Sequence, residues 1–276
     1  MDWKPNKWLA AVLGLFLQWM AFLYVGRWRL ALAFIAVAIA LVLLEQRFVG
    51  SDYSLLALGV FSSVLAYRIA AKAAPVSARP WFGRWYGMLG IAGTLIVCIV
   101  LLRAFLIEPF RMPSGAMAPT LDVGTTFLVS KAGYRTFGTF GVVLTRGAPS
   151  TPVPRGAVVV FESPAQPGVL FVKRVVGLPG DAIVYKDKHL AVNGRSVTQN
   201  EENSTKAIVR EEIDGTAYRT LVDKQRPAVD WQVTVSPNHY FFMGDNRDAS
   251  YDSRHFGAVS AELLIGRVVH VFHSGD

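Results

Sequence analysis

Long apolar runs fill the first 110 residues of the chain, and short ones fill the rest. Four segments, at about 8–26, 30–46, 53–74 and 86–108, are apolar almost throughout. Each comes close to the ~20 residues that a membrane-crossing helix needs, the second being marginal. From Thr125 the pattern shortens to runs such as TTFLVS, AVVVF, LFVKRVV, AIVYK, HLAVNG, WQVTV, HYFFMG and GRVVHVF. Their Val, Phe and Tyr content, punctuated by Gly, Pro and Asn, predicts β-strands. Two stretches stand apart. Residues 198–230 are polar and charged and read as an inserted, mobile excursion. Residues 135–156 carry Phe137, Phe140, Val142, Val143 and Leu144 among glycines, then prolines. Such a loop either dips into a membrane surface or packs on its own domain.

Charge orients the apolar segments. Arg27 and Arg29 follow the first, and Arg68, Lys72, Arg79 and Arg84 surround the end of the third and the start of the fourth. Between the second and third only Arg47 is basic, beside Glu45 and Asp52. Positive connectors face the cytoplasm, which predicts both termini and everything after residue 108 outside it. Lys4 and Lys7 oppose this and are outnumbered. Trp3, Trp8, Trp28, Trp81 and Trp85 lie near segment ends, where interfacial anchors belong.

Composition agrees with a membrane region followed by a globular one. Only 17% of the 276 residues are charged and mean hydropathy is +0.35, too apolar for a wholly soluble chain. A formal charge of +8 would suit nucleic acid, but no basic run is interleaved with aromatics. The bilayer, and not nucleic acid, is therefore the expected partner. The only cysteine, Cys98, sits in LIVCIVLL and reads as a small buried hydrophobe. No convincing cleavage site follows the first apolar run, so a removable signal peptide is not expected.

Three stretches carry candidate chemistry. Pro113-Ser114-Gly115-Ala116-Met117-Ala118-Pro119-Thr120-Leu121 follows directly on the last apolar segment. Gly115 and its flanking prolines exclude helix interior and predict a tight turn. Lys173 opens KRVVGLPGD, with Phe171 and Val175 as face-mates at period two. Either its stem packs while its head reaches water, or burial lowers its pKa from about 10.4 toward neutrality and makes it a general base. Gly244-Asp245-Asn246-Arg247-Asp248-Ala249-Ser250-Tyr251-Asp252-Ser253-Arg254 is dense in hydrogen-bonding groups. Alone it reads as a turn rich in Asx bonds or a weak cation site. The five histidines form no HExxH motif and stand apart from any Gly-x-Ser-x-Gly elbow. Neither a metal nor another cofactor is implied.

In this order, behind a membrane anchor, the three stretches resemble bacterial type I signal peptidase (leader peptidase), from about Arg103 to the C-terminus. The resemblance implies transmembrane α-helices over 1–109 followed by a mainly-β catalytic domain over 110–276, with the polar insertion at about 198–230. It also implies a multi-pass protein of the bacterial inner membrane, with the catalytic domain on the periplasmic face near the export translocon. The activity implied is that of a Ser/Lys serine endopeptidase removing signal peptides after Ala-x-Ala. Lys173 then matches the general base, Ser250 the hydroxyl that orients it, and Ser114 the oxyanion-hole hydroxyl. Asp252 and Arg254 match a supporting ion pair, and Asp245 the same network. One position departs: the family's nucleophilic Ser is Ala116 here. The expectation is an inactive form, made by a Ser-to-Ala change. The alternatives are a natural non-catalytic signal-peptide binder, and a membrane assembly or sensor protein on the same scaffold.

Overall fold

The computed structural model describes residues 2–48, 53–201 and 206–272. Two compact units appear, Met1–Ile99 and Val100–Phe272. The first holds α1 (Lys7–Tyr24), α2 (Trp28–Phe48), α3 (Tyr53–Lys72) and most of α4 (Trp85–Phe105). Among the described residues α1, α3 and α4 are long and apolar enough to cross a membrane. α2 carries an apolar stretch at Trp28–Val42. Small residues let α1 and α3 approach closely: a Cβ on Gly14 would come within 2.6 Å of Ser63 Cα. The Ser63 hydroxyl donates to the Ala11 carbonyl at 2.8 Å, one of the few polar links available between apolar helices.

The second unit is built on a seven-stranded sheet. Its spatial order is Ile107–Arg111, Thr126–Ser130, Leu264–Phe272, Val158–Glu162, Leu170–Gly177, His239–Met243 and Val259–Ser260. Every described pairing in it is antiparallel. A four-stranded sheet joins Trp231–Thr234, Ala182–Lys186, His189–Val192 and Arg195–Ser196. Alternation puts Phe127 and Val129 into one core cluster, together with Met112, Met117, Leu121 and Val160. Thus the Pro113–Leu121 stretch is a turn whose own Met117 and Leu121 plug into the core.

The polar stretch after residue 198 is not an unstructured excursion. Thr198–Glu201, Lys206–Ile213 and Thr216–Asp223 form an antiparallel sheet, whose last two strands meet at Asp214–Gly215. Both turn residues have positive φ, 48° and 77°, as a two-residue hairpin requires. Ala207, Val209 and Ile213 on one strand are buried, as are Tyr218, Thr220 and Val222 on the other. Arg210, Glu212 and Arg219 between them are exposed, whereas Glu211 is buried with the apolar set. An Asp-Gly between alternating apolar positions was the signal for this hairpin, hidden by the overall charge of the segment.

The apolar stretch near residue 140 is a second hairpin, Phe137–Thr139 with Val142–Thr145. It packs partly on its own unit, with the Phe137 ring 5.1 Å from that of Phe105. Its tip stays open: Phe140 is 70% exposed and Leu144 61%.

Candidate active site

Position 116 lies in a single helical turn, Gly115–Met117, between exposed Ser114 and buried Met117. Two bonds from one residue dock this turn. The Asn246 main-chain N–H donates to Ala116 O at 3.1 Å, and its side-chain amide to Gly115 O at 3.0 Å. Gly244 lies where Ala116 and Ser250 converge. A Cβ there would stand 2.1 Å from Ser250 Oγ and 2.6 Å from Ala116 O, so any side chain would push the two apart. The turn and the Gly244–Arg254 stretch are thereby held together across more than a hundred residues of sequence.

Two lysines of the second unit are buried, and they differ in one respect. Lys131 is 1% exposed, and its ammonium donates to Glu108 Oε2 at 2.7 Å, to Arg103 O at 2.9 Å and to Gly138 O. All three of its protons are satisfied. Lys173 is 5% exposed, yet among the described residues its ammonium makes no hydrogen bond or ion pair. Its nitrogen lies 5.8 Å from the centre of the Phe171 ring, the face-mate that strand periodicity assigns. Burial pushes its pKa down to about 8, although the carboxylates of Asp252 and Asp245 pull the other way.

Those carboxylates are each held by a different arginine. Asp252 takes Arg254 through both oxygens, at 2.8 and 2.9 Å, and accepts the Gly244 N–H at 3.0 Å. Burial alone would raise its pKa, but the Arg254 guanidinium and the Gly244 N–H outweigh burial and hold it below the usual range. Asp245 takes Arg174, at 2.8 and 2.6 Å, and accepts from the Thr120 hydroxyl. Ser250 Oγ is buried and completes no hydrogen bond of good geometry, although it lies near enough to Asp252 to favour its charge. Ser114 caps nothing and faces outward.

The sequence pattern described as "Signal peptidase, peptidase S26" matches residues 85–273. The chain belongs to that family. It is 41% identical over 199 residues to signal peptidase I of Pseudomonas aeruginosa, covering 65% of this chain and 69% of the relative. Signal peptidase I of Pseudomonas fluorescens is 38% identical over 201 residues, with the same coverage. A crystal structure of a signal peptidase I from Enterococcus faecalis V583 is 25% identical and covers 43% of this chain and 98% of that one, with a TM-score of 0.31.

Several residues around this candidate site carry no signal that the sequence alone brings out. Arg174 stands next to Lys173 and so faces away from it, where it meets Asp245. Glu211 forks onto Arg247 with both oxygens, one bond being 2.6 Å, and both side chains are 1% exposed. Glu211 belongs to the segment first read as a solvated excursion, which is why it drew no attention. Among the described histidines, His255 closes the cap on Asp252, and His189 and His239 bond to nearby carbonyls.

Proposed function

We propose that this chain is the scaffold of a membrane-bound Ser/Lys endopeptidase that recognises signal peptides of exported preproteins ending in Ala-x-Ala, and that with Ala116 it binds them without cutting. The observation that carries this reading is the contrast between the two buried lysines. An ammonium such as that of Lys131 has all three protons engaged and none to offer a substrate. An unpartnered one such as Lys173 releases its proton near neutral pH and can then take one from a hydroxyl. A serine at position 116 would supply that hydroxyl. In this reading Ser250 orients the amine, and Ser114 turns inward with substrate bound to add an oxyanion donor beside the main-chain N–H of residue 116.

Strand pairing supports a peptide substrate. Leu170–Gly177 is bonded along Leu170–Arg174 by Val158–Glu162 on one side. On the other side His239–Met243 reaches only Arg174. The edge from Leu170 to Lys173 is left without a strand partner among the described residues. An extended peptide adding to that edge brings its carbonyl to Lys173, with main-chain bonds supplying affinity and small pockets supplying selectivity. The decisive experiment is to compare Ala116→Ser with the parent chain on a preprotein carrying Ala-x-Ala before the cut. Release of mature protein by the variant alone supports the reading; release by neither removes the endopeptidase assignment.

A further inference from the structure

A cavity of about 660 Å³ opens on the second unit, away from position 116, and nothing above uses it. Its apolar lining includes Phe110, Phe137, Val143, Leu170 and Ile265. The hairpin Phe137–Thr139 with Val142–Thr145 forms one wall, and that wall is latched. Glu108 accepts from the Thr139 hydroxyl at 2.6 Å, while Lys131 binds Glu108 and the Gly138 carbonyl together. The Arg103 guanidinium lies 4.3 Å from the Phe140 ring. Arg146, next after the hairpin, is paired with Glu162 at 2.6 Å. Apart from Arg111 the charges on the lining are thus paired with one another, and what remains free to contact a ligand is mainly hydrocarbon.

Two features say what would lie there. Leu170 is both a wall of the cavity and the start of the open strand edge that ends at Lys173. Three residues of strand span roughly 10 Å, so a chain extended from Lys173 along this edge reaches the cavity about four residues from its reacting carbonyl. The direction follows from α4. Its last turn, through Arg103 and Phe105, touches the hairpin, so the cavity stands beside the end of an apolar helix of mean hydropathy 2.3. The membrane-embedded part of a signal peptide precedes its cleavage site. We infer that this cavity, continuous with the open edge of Leu170–Lys173, seats the apolar side chains of the substrate from about the fourth residue before the cleaved bond. The latch of Glu108 and Lys131 keeps its hairpin wall in place. This inference rests on the reading of the chain as a signal-peptide binder and adds to it a second determinant, beyond the small residues next to the bond.

The test uses the full chain as it stands, in detergent micelles without lipid, and two synthetic peptides with the same Ala-x-Ala end. One begins three residues before the bond; the other carries four further apolar residues upstream. The long peptide is expected to bind at least ~10-fold more tightly, the worth of burying one large aliphatic side chain. Val143→Asp, and Val143→Trp, which fills the cavity, should each abolish that advantage and leave the short peptide unchanged. Micelle partitioning is common to parent and variants and cancels in the comparison. Equal affinities for the two peptides overturn the inference, as does a Val143 variant that weakens both alike. An advantage that appears only when lipid is added also overturns it, making the hairpin a lipid-contacting element. Binding of the short peptide reports on the proposed function separately: if only the long peptide binds, and loses binding in both variants, the cavity stands and Ala-x-Ala recognition falls. If neither binds, both fall.

Discussion

Asn246 holds the carbonyl of Ala116 with its main-chain N–H at 3.1 Å, and so fixes position 116 independently of the side chain there. With Met117 and Leu121 anchored in the core, a hydroxyl added at residue 116 has a prepared backbone to sit on. Ala116→Ser should therefore cleave a preprotein that the parent binds and leaves whole over hours. The expected ratio is on the order of a million-fold, the cost of losing a nucleophile in a well-studied serine protease. Gel assays of mature protein check this, and comparable cleavage by both forms would show that residue 116 is not the nucleophile position.

Lys173 sets a pH dependence. On the proposed function its neutral form is the base, so the kcat/KM of the Ala116→Ser variant should rise with pH and level off above about 8. Lys173→Arg in the same background should be silent, because a guanidinium keeps its proton. Lys131→Ala should leave the profile's midpoint in place whatever it does to stability. Appreciable turnover by the Arg variant would sink the assignment.

The same lysine costs stability below its folded pKa. Between about pH 8 and 10.5 the unfolded chain holds the lysine proton and the folded one does not. Stability from this group therefore rises with pH across that window. Lys173→Met should stabilise the chain at pH 7 by ~3 kcal/mol, and the gain should fade toward pH 10.5. Thermal unfolding at the two pH values reads the difference; a gain that does not change with pH would contradict it.

Asp252 works in the opposite sense. Its folded pKa is depressed, so its contribution is present above the ordinary carboxylate pKa of about 4 and is lost as pH falls below that. Asp252→Ala should lower stability at pH 7 by about 3–5 kcal/mol, since Arg254 is left buried and unpaired. Parent and variant should converge in acid. A constant gap down to pH 2 would mean that packing, and not charge, is what Asp252 supplies.

Glu211→Ala should destabilise by a similar ~3–5 kcal/mol, because Arg247 has its ion-pair partner only there among the described residues. Arg247→Met together with Glu211→Leu should recover much of the loss, as apolar replacement of a buried pair often does. Circular dichroism melts of the parent and the two variants test this. Equal melting temperatures for Glu211→Ala and the parent would contradict the pairing.

Membrane orientation is open to direct measurement. In a Cys98→Ser background, Val229→Cys should react with a membrane-impermeant thiol reagent in intact cells and Ser77→Cys should not. That follows from the six basic residues at the ends of the first and third apolar segments. The reverse pattern would overturn the orientation.

What the chain determines locally was legible without coordinates. Spans of about 20 apolar residues are a matter of length and composition, and α1, α3 and α4 lie where such spans were read. The apolar setting of Lys173 follows from period two alone, and Phe171 is where that period puts it. Even the missed hairpin at Asp214–Gly215 was written in adjacent residues. What remained was decided by pairs far apart in sequence. Lys131 is neutralised by Glu108, 23 residues away, while Lys173 is left alone. Asp245 finds Arg174 across 71 residues, and Arg247 finds Glu211 across 36. The open edge beside Lys173 exists because His239–Met243 stops at Arg174. Two lysines, one inside an apolar strand and one just after another, look alike in sequence, because burial is set by local pattern. Charge compensation and strand neighbours are set by which distant segments meet, and only the folded chain decides that.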